Sequence, residues 1–171
     1  KICVDGGFTC PNRDGTLGYS GCIYCSEKGS GELINPIENI SEQIRYYFTT
    51  YRAERANKFI VYFQNFSNTY DTVPNLKSKY DAALIDDRIV GLAIGTRPDC
   101  IDEEIVKLLK SYTNKYYVCV ELGLQTSSNQ LGEIIHRQYT SEQFSQAVQL
   151  LNKYDIDVVT HMMVGLPYET E

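Results

Sequence analysis

Apolar residues fall along this chain in two rhythms that take turns. Residues 1–5 make a short apolar run closed by Gly6 and Gly7. Longer runs of aliphatic, β-branched and aromatic residues occupy 59–64, 89–94, 116–122 and 156–164. Each is of strand length and is followed by turn-forming or polar residues. Between the runs, apolar residues recur three and four apart. Ser41 caps a predicted helix with Ile44, Tyr47, Phe48 and Tyr51 on one face. A weaker pattern covers residues 75–84, and Asp102 caps a helix carrying Ile105, Val106, Leu108, Leu109 and Tyr112. Thr140 and Gln143 form a capping box ahead of Phe144, Ala147, Val148, Leu151 and Tyr154.

Apolar strands alternating with helices predict an α/β fold, a parallel sheet flanked by helices. Periodicity alone leaves an open sheet and a barrel both available. In either, ligands gather at the C-terminal ends of the strands. The unusual residues of this sequence stand there, beginning with a long irregular loop over residues 8–39 that is rich in Gly, Ser, Pro and Asn.

With 171 residues the chain has room for one domain, residues 1–171, with a substantial core. It carries no stretch long and apolar enough for a membrane span and no signal-peptide pattern, and it reads as a cytoplasmic α/β enzyme. Its first residue is Lys1, and the N-terminus is expected to be a fragment boundary. A net charge of −6 argues against a broad electrostatic platform for nucleic acid within this segment.

Six cysteines change the picture: Cys3, Cys10, Cys22, Cys25, Cys100 and Cys119. Three of them, Cys10, Cys22 and Cys25, lie on the Gly-rich loop after the first strand. The two-residue gap lets Cys22 and Cys25 point at one centre, and the flexible span brings Cys10 round to it. Thiolates are the usual ligands of iron–sulfur clusters, and three of them leave one iron open for catalysis. Zinc also accepts Cys-x-x-Cys, but a structural zinc site needs a fourth ligand, for which Cys100, His136 and His161 are the candidates. A redox pair of Cys22 and Cys25 leaves Cys10 without a role. Spacing alone leaves these alternatives open.

Cys-x11-Cys-x2-Cys, with Tyr24 before the last cysteine, resembles the cluster loop of radical S-adenosylmethionine (SAM) enzymes in a wider-spaced form. The commoner pattern is Cys-x3-Cys-x2-Cys. The segment Val4-Asp5-Gly6-Gly7-Phe8-Thr9-Cys10-Pro11-Asn12-Arg13-Asp14-Gly15 is similar to that of a bacterial subfamily related to the catalytic subunit of Elongator. The likeness continues through Tyr62-Phe63-Gln64 with Ser67-Asn68-Thr69-Tyr70, and through Gly95-Thr96-Arg97-Pro98-Asp99. It runs on in Glu121-Leu122-Gly123-Leu124-Gln125-Thr126 and His161-Met162-Met163-Val164-Gly165-Leu166-Pro167, with Glu169-Thr170 following.

The resemblance implies a partial TIM-type (β/α)6 barrel, of which this chain holds about five β/α units, with further parts of the protein completing it. It implies a [4Fe–4S] cluster on Cys10, Cys22 and Cys25, with SAM on the fourth iron. A reductant such as flavodoxin or ferredoxin drives reductive cleavage of SAM to methionine and a 5′-deoxyadenosyl radical. The likeness to Elongator points to tRNA as the substrate. The rival reading is a non-catalytic metal-binding domain, holding zinc or an electron-transfer cluster.

The resemblance further implies that Tyr24 packs near the adenine. It places Gln64, Ser67 or Asn68 where relatives hold the SAM amino group with a Gly-Gly-Glu-type motif absent here. Glu121 and Gln125 share a strand face and contact the ribose or methionine part; the structural alternative for Glu121 is pairing with Arg97 or Arg137. His161 faces the substrate pocket or is a core histidine. Gly165, Leu166 and Pro167 approach the adenine or make a plain turn. Cys3 and Cys119 read as buried thiols within strands, Cys100 as a loop thiol at the mouth, and His136 as a residue of a helix surface.

Overall fold

Five strands are hydrogen-bonded side by side in chain order, every pair parallel: β1 (Ile2–Val4), β2 (Phe59–Phe63), β3 (Ile89–Thr96), β4 (Tyr117–Gln125) and β5 (Asp157–Met162). This arrangement comes from a computed structural model that describes residues 1–29 and 39–169. The segment 30–38 of the cysteine loop, and Thr170, lie outside the described residues. Parallel strands need crossovers, and the helices α1 (Ile40–Phe48), α2 (Val73–Asp81), α3 (Glu103–Tyr112) and α5 (Ser141–Lys153) supply them.

The pleat sorts the side chains. Ile2, Val4, Val61, Phe63, Leu92, Ile94, Val120 and Leu122 face the helices and are fully buried against Ile44, Leu76, Tyr80, Val106, Leu109 and Leu151. The alternate positions (Lys1, Cys3, Tyr62, Ala93, Gly95, Cys119, Glu121) face the other way. Lys1, ahead of β1, makes an ion pair with Glu121 on β4. In a flat sheet with strands about 4.8 Å apart, β1 and β4 are about 14 Å apart, too far for that contact, so the sheet curls inward. The result is a partial TIM-type barrel, open between β1 and β5.

Most caps are where the sequence puts them. Asp102 Oδ1 accepts from Ile105 N at 2.9 Å, and Thr140 with Gln143 closes the capping box on α5. At α1 the cap is Asn39, whose Oδ1 accepts from Glu42 N at 3.2 Å. Ser41, expected to cap, is inside the helix and donates its hydroxyl to Ala82 O at 2.7 Å. Tyr51, expected on the α1 face, lies past the helix end in an exposed 3-10 turn, Tyr51–Arg55. Strands β3 and β4 run beyond the expected 94 and 122, because ladder bonds to neighbours carry Gly95, Thr96 and Gly123, which have no apolar signal. The sequence gives no sign of the short helix α4 (Asn129–Ile134), capped by Ser128. Strand β5 is mostly exposed, with Val159 and Met162 facing solvent.

No described helix is long and apolar enough to cross a membrane. Leu92, fully buried at the centre of the sheet, measures the core: Leu92→Ala is expected to lower the unfolding free energy by about 2–5 kcal/mol in urea titration.

Candidate functional site

The cysteine loop is folded by its own backbone. Arg13 N and Asp14 N both donate to Cys10 O, at 2.8 and 3.1 Å, and Cys25 N donates to Cys22 O at 3.1 Å. Arg13 then straps the far end, its guanidinium donating to Cys25 O at 3.1 Å and Ser26 O at 2.5 Å. Gly21, at φ +72, is required here: a Cβ would stand 2.8 Å from Arg13 Nε. The loop is pinned to the barrel by Ile23 N to Ile135 O at 3.1 Å and by Asn12 Nδ2 to His136 O at 2.7 Å.

All three thiols open onto one cavity of about 180 Å³ at the C-terminal ends of the strands. The Cys22 and Cys25 thiols stand close enough for one to donate toward the other. That interaction, with help from the Tyr24 hydroxyl, the Arg97 charge and the Asn12 amide, outweighs burial and brings the Cys22 thiol down to about 6. The Cys25 thiol is pushed up by its interaction with Cys22 and by burial. Burial and the neighbouring Cys22 charge also raise Tyr24.

The opposite wall is polar. Glu121, 5% exposed, bonds His161 Nε2 at 2.8 Å and pairs with Lys1, with the Tyr62 hydroxyl nearby. Burial raises its carboxyl, but these three neighbours more than offset it and hold the group below its ordinary value. Neither Arg97 nor Arg137 pairs with it, contrary to the structural alternative expected. Arg97 instead makes a two-pronged bond to Asp99, at 2.9 and 2.7 Å, and lies 4.8 Å from the Tyr139 ring centre.

Of the expected site residues, Cys10, Cys22, Cys25, Tyr24, Gln64, Glu121, Gln125 and His161 line this cavity, as does Ser67. Asn68 does not. It is fully buried, and both its backbone amide and its Nδ2 bond Gly95 O, tying the loop after β2 to β3. Gly165, Leu166 and Pro167 also stand apart from the cavity, beyond β5, where Glu169 takes the Gly165 and Leu166 amides. Cys3 is exposed rather than buried, since β1 is the open edge of the sheet. Cys100 is buried rather than at the mouth, its thiol pushed up to about 12 chiefly by burial. His136 is exposed, past the end of α4. Sequence reasoning missed Tyr62, Thr96, Arg97 and Tyr139 as cavity residues. The placement of Tyr62 and Arg97 at strand ends is the signal that points to them; Tyr139 carries none.

These residues fit a thiolate-held cluster with an organic ligand beside it. Three thiols line one cavity, and thiolates are the usual ligands of an iron–sulfur cluster. Ser67 Oγ, buried on the cavity wall, has no hydrogen-bond partner among the described residues, although the Cys100 thiol lies alongside. An orphaned hydroxyl there suits a polar ligand.

Glu121→Gln is expected to destabilise the fold by about 1–3 kcal/mol at pH 7. A carboxyl held low contributes above its unfolded value and loses that contribution as pH falls through its folded value. The deficit should therefore shrink once pH drops below the ordinary carboxylate range, as thermal unfolding at stepped pH will show.

The radical SAM superfamily model matches residues 9–171. The protein YtqA of Bacillus subtilis is 37% identical over 99% of this chain and 53% of its own length, and YhcC of Escherichia coli is 36% identical over 99% and 54%. The chain thus spans about half the length of the curated relatives it matches. A tRNA uridine(34) acetyltransferase of Methanocaldococcus jannaschii is 41% identical over 47% of this chain and 14% of its own. Among solved structures, Methanocaldococcus infernus Elp3 superposes with a TM-score of 0.66 at 17% identity, over 99% of this chain and 38% of that one. The cobalamin-dependent S-adenosylmethionine radical enzyme OxsB gives 0.64 at 12%, over 94% and 23%. The family model spans the cysteine loop and all of the later strands, and this chain belongs to the radical SAM superfamily.

Proposed function

We propose that this chain is the cofactor-binding barrel of a radical SAM enzyme, with Cys10, Cys22 and Cys25 holding a [4Fe–4S] cluster and SAM bound beside it. The observation that carries the reading is the single cavity lined both by the three thiols and by the polar wall of Ser67, Arg97, Glu121, Gln125 and His161. Bound there, the cluster and SAM supply one-electron cleavage to methionine and a 5′-deoxyadenosyl radical. The reductant is a flavodoxin- or ferredoxin-type carrier.

The chain's own residues bind, orient and exclude water. The low Cys22 thiol favours the thiolate that a metal needs. Tyr24, with its hydroxyl toward Cys22, covers the cysteine side of the cavity. Glu121 already bonds Lys1 and His161, so it offers at most its remaining lone pairs to a ribose, while His161 keeps Nδ1 free of Glu121. Ser67 and Gln64 take the place of the Gly-Gly-Glu-type contact.

A tRNA substrate is supported by the 81-residue similarity to tRNA uridine(34) acetyltransferases. With a charge of −6 on this segment, most phosphate contacts would come from the rest of the protein, which would also complete the barrel. Such an enzyme belongs in the cytoplasm.

Anaerobic reconstitution followed by EPR of the reduced protein tests the reading. A [4Fe–4S]⁺ signal that changes on adding SAM, with 5′-deoxyadenosine formed under dithionite, is expected. Replacing the three cysteines by serine should abolish both. Stoichiometric zinc in place of iron would favour the structural-metal reading instead.

A further inference from the structure

At the end of β4 the backbone turns in a way that no strand requires. Gln125 has φ +66, and Thr126 N donates to Leu124 O at 2.8 Å, closing a γ-turn of the rarer, positive-φ form. The ladder to β5 slips between Gly123 and Gln125. A residue other than Gly holds such a backbone only where its surroundings over-determine it.

Here they do. Arg137, fully buried, sends Nη1 to the carbonyls of both Leu124 and Thr126, each at 2.6 Å, the two groups that bracket Gln125. Its Nε reaches Tyr139 O at 2.9 Å and its Nη2 reaches Asn129 Oδ1 at 3.2 Å. No acceptor among these is charged. A guanidinium buried against neutral oxygens is a costly arrangement, and this one is spent on the backbone either side of one residue. The Tyr139 hydroxyl adds another strap, donating to Gly123 O at 2.8 Å. Gly123 leaves the room that the side chain needs: a Cβ there would stand 2.7 Å from Gln125 Nε2. Together these constraints leave Gln125 on the cavity wall, facing the same space as Glu121 and Cys22.

The geometry points to Arg137 as a positioning residue that, through the Leu124 and Thr126 carbonyls, holds the γ-turn aiming the Gln125 amide at bound SAM. The inference rests on the reading that this cavity binds SAM. Arg137 is not itself on the cavity wall. The amide it aims carries both donors and an acceptor, chemistry suited to the hydroxyl, amino and carboxylate groups of SAM.

A double-mutant cycle tests it, read by equilibrium SAM binding and by the SAM-induced EPR change of the reduced cluster, in the reconstituted full-length protein. Gln125→Ala should weaken SAM binding about tenfold. Arg137→Lys keeps the charge but loses the planar fork. It should cost a similar factor in the wild-type background and less than about twofold in the Gln125→Ala background, while thermal stability falls equally in both. Equal losses of affinity in the two backgrounds, or none, overturn the inference and leave Arg137 a purely structural residue. Should Arg137→Lys fail to fold, Asn129→Ala at the exposed helix surface, outside the cavity, releases Arg137 Nη2. It is expected to weaken SAM binding in the wild type and not in Gln125→Ala, and an equal loss in both, or none, overturns the inference. A wild-type protein that builds its cluster yet shows no SAM response fails one step earlier, and sinks the proposed function along with this inference.

Discussion

A strand that pairs parallel to its neighbour must leave the sheet at the same end, so five strands in chain order deliver all their exits to one rim. Everything chemical in this chain depends on that constraint. The cysteine loop leaves β1, Gln64 and Ser67 follow β2, Arg97 follows β3, Gln125 ends β4 and His161 stands near the end of β5. Yet β1 has only three residues, a slender root for a loop carrying three thiols. The loop therefore borrows anchors from the other strands' exits: Ser67 N donates to Thr9 O, Thr16 and Tyr70 share a hydroxyl bond, and Asn12 and Ile23 dock on the segment after α4. The cysteine geometry is thus a property of the rim as a whole.

Charge is distributed against the average. The segment is acidic overall, but Arg13 and Arg97 line the cavity and Arg137 lies just behind it. Each cation is held differently. Arg13 is satisfied by backbone carbonyls of its own loop, Arg97 by Asp99, and Arg137 by carbonyls alone. The Arg97 and Arg137 guanidinia each lie 4.8 Å from the Tyr139 ring centre, within the range of cation–π attraction. Positive charge fixed in a partly dry pocket favours thiolates more strongly than the same charge in water, and the Glu121 carboxylate on the opposite wall keeps the cavity from being uniformly cationic. Cys22 is lowered chiefly by Cys25, and the Arg97 charge adds a smaller push in the same direction.

Local patterns carried most of the fold into view. Caps at Asp102 and Thr140, the apolar strand runs and the cysteine spacing are each decided within a few residues, and physics within a few residues is what a sequence displays. Contacts across the barrel are different. The partners of Glu121 stand 40 and 120 positions away, so neither could be chosen over Arg97 or Arg137 from composition. Asn68 was misplaced for a related reason: a polar residue at a strand exit reads alike whether it faces the cavity or ties two loops together. Helix α4 has six residues, too few for a period to show.

Strain belongs to the same class of hidden feature. Phe66 at φ +60 and Gln125 at φ +66 both lie on the cavity wall, after β2 and at the end of β4. Neither residue type announces a left-handed backbone, as Gly or Asn would. Each is held from outside its own segment: Phe66 packs against Gly29 and beneath the Arg13 guanidinium, 5.5 Å from its ring centre, and Gln125 sits between carbonyls clamped by Arg137. A fold under selection for stability alone would relax such positions to glycine or to ordinary strand. His136, Gln138, Asp155 and Tyr168 also have positive φ away from the cavity wall, so it is the buried cation committed to Gln125, and not positive φ alone, that ties strain there to side-chain direction.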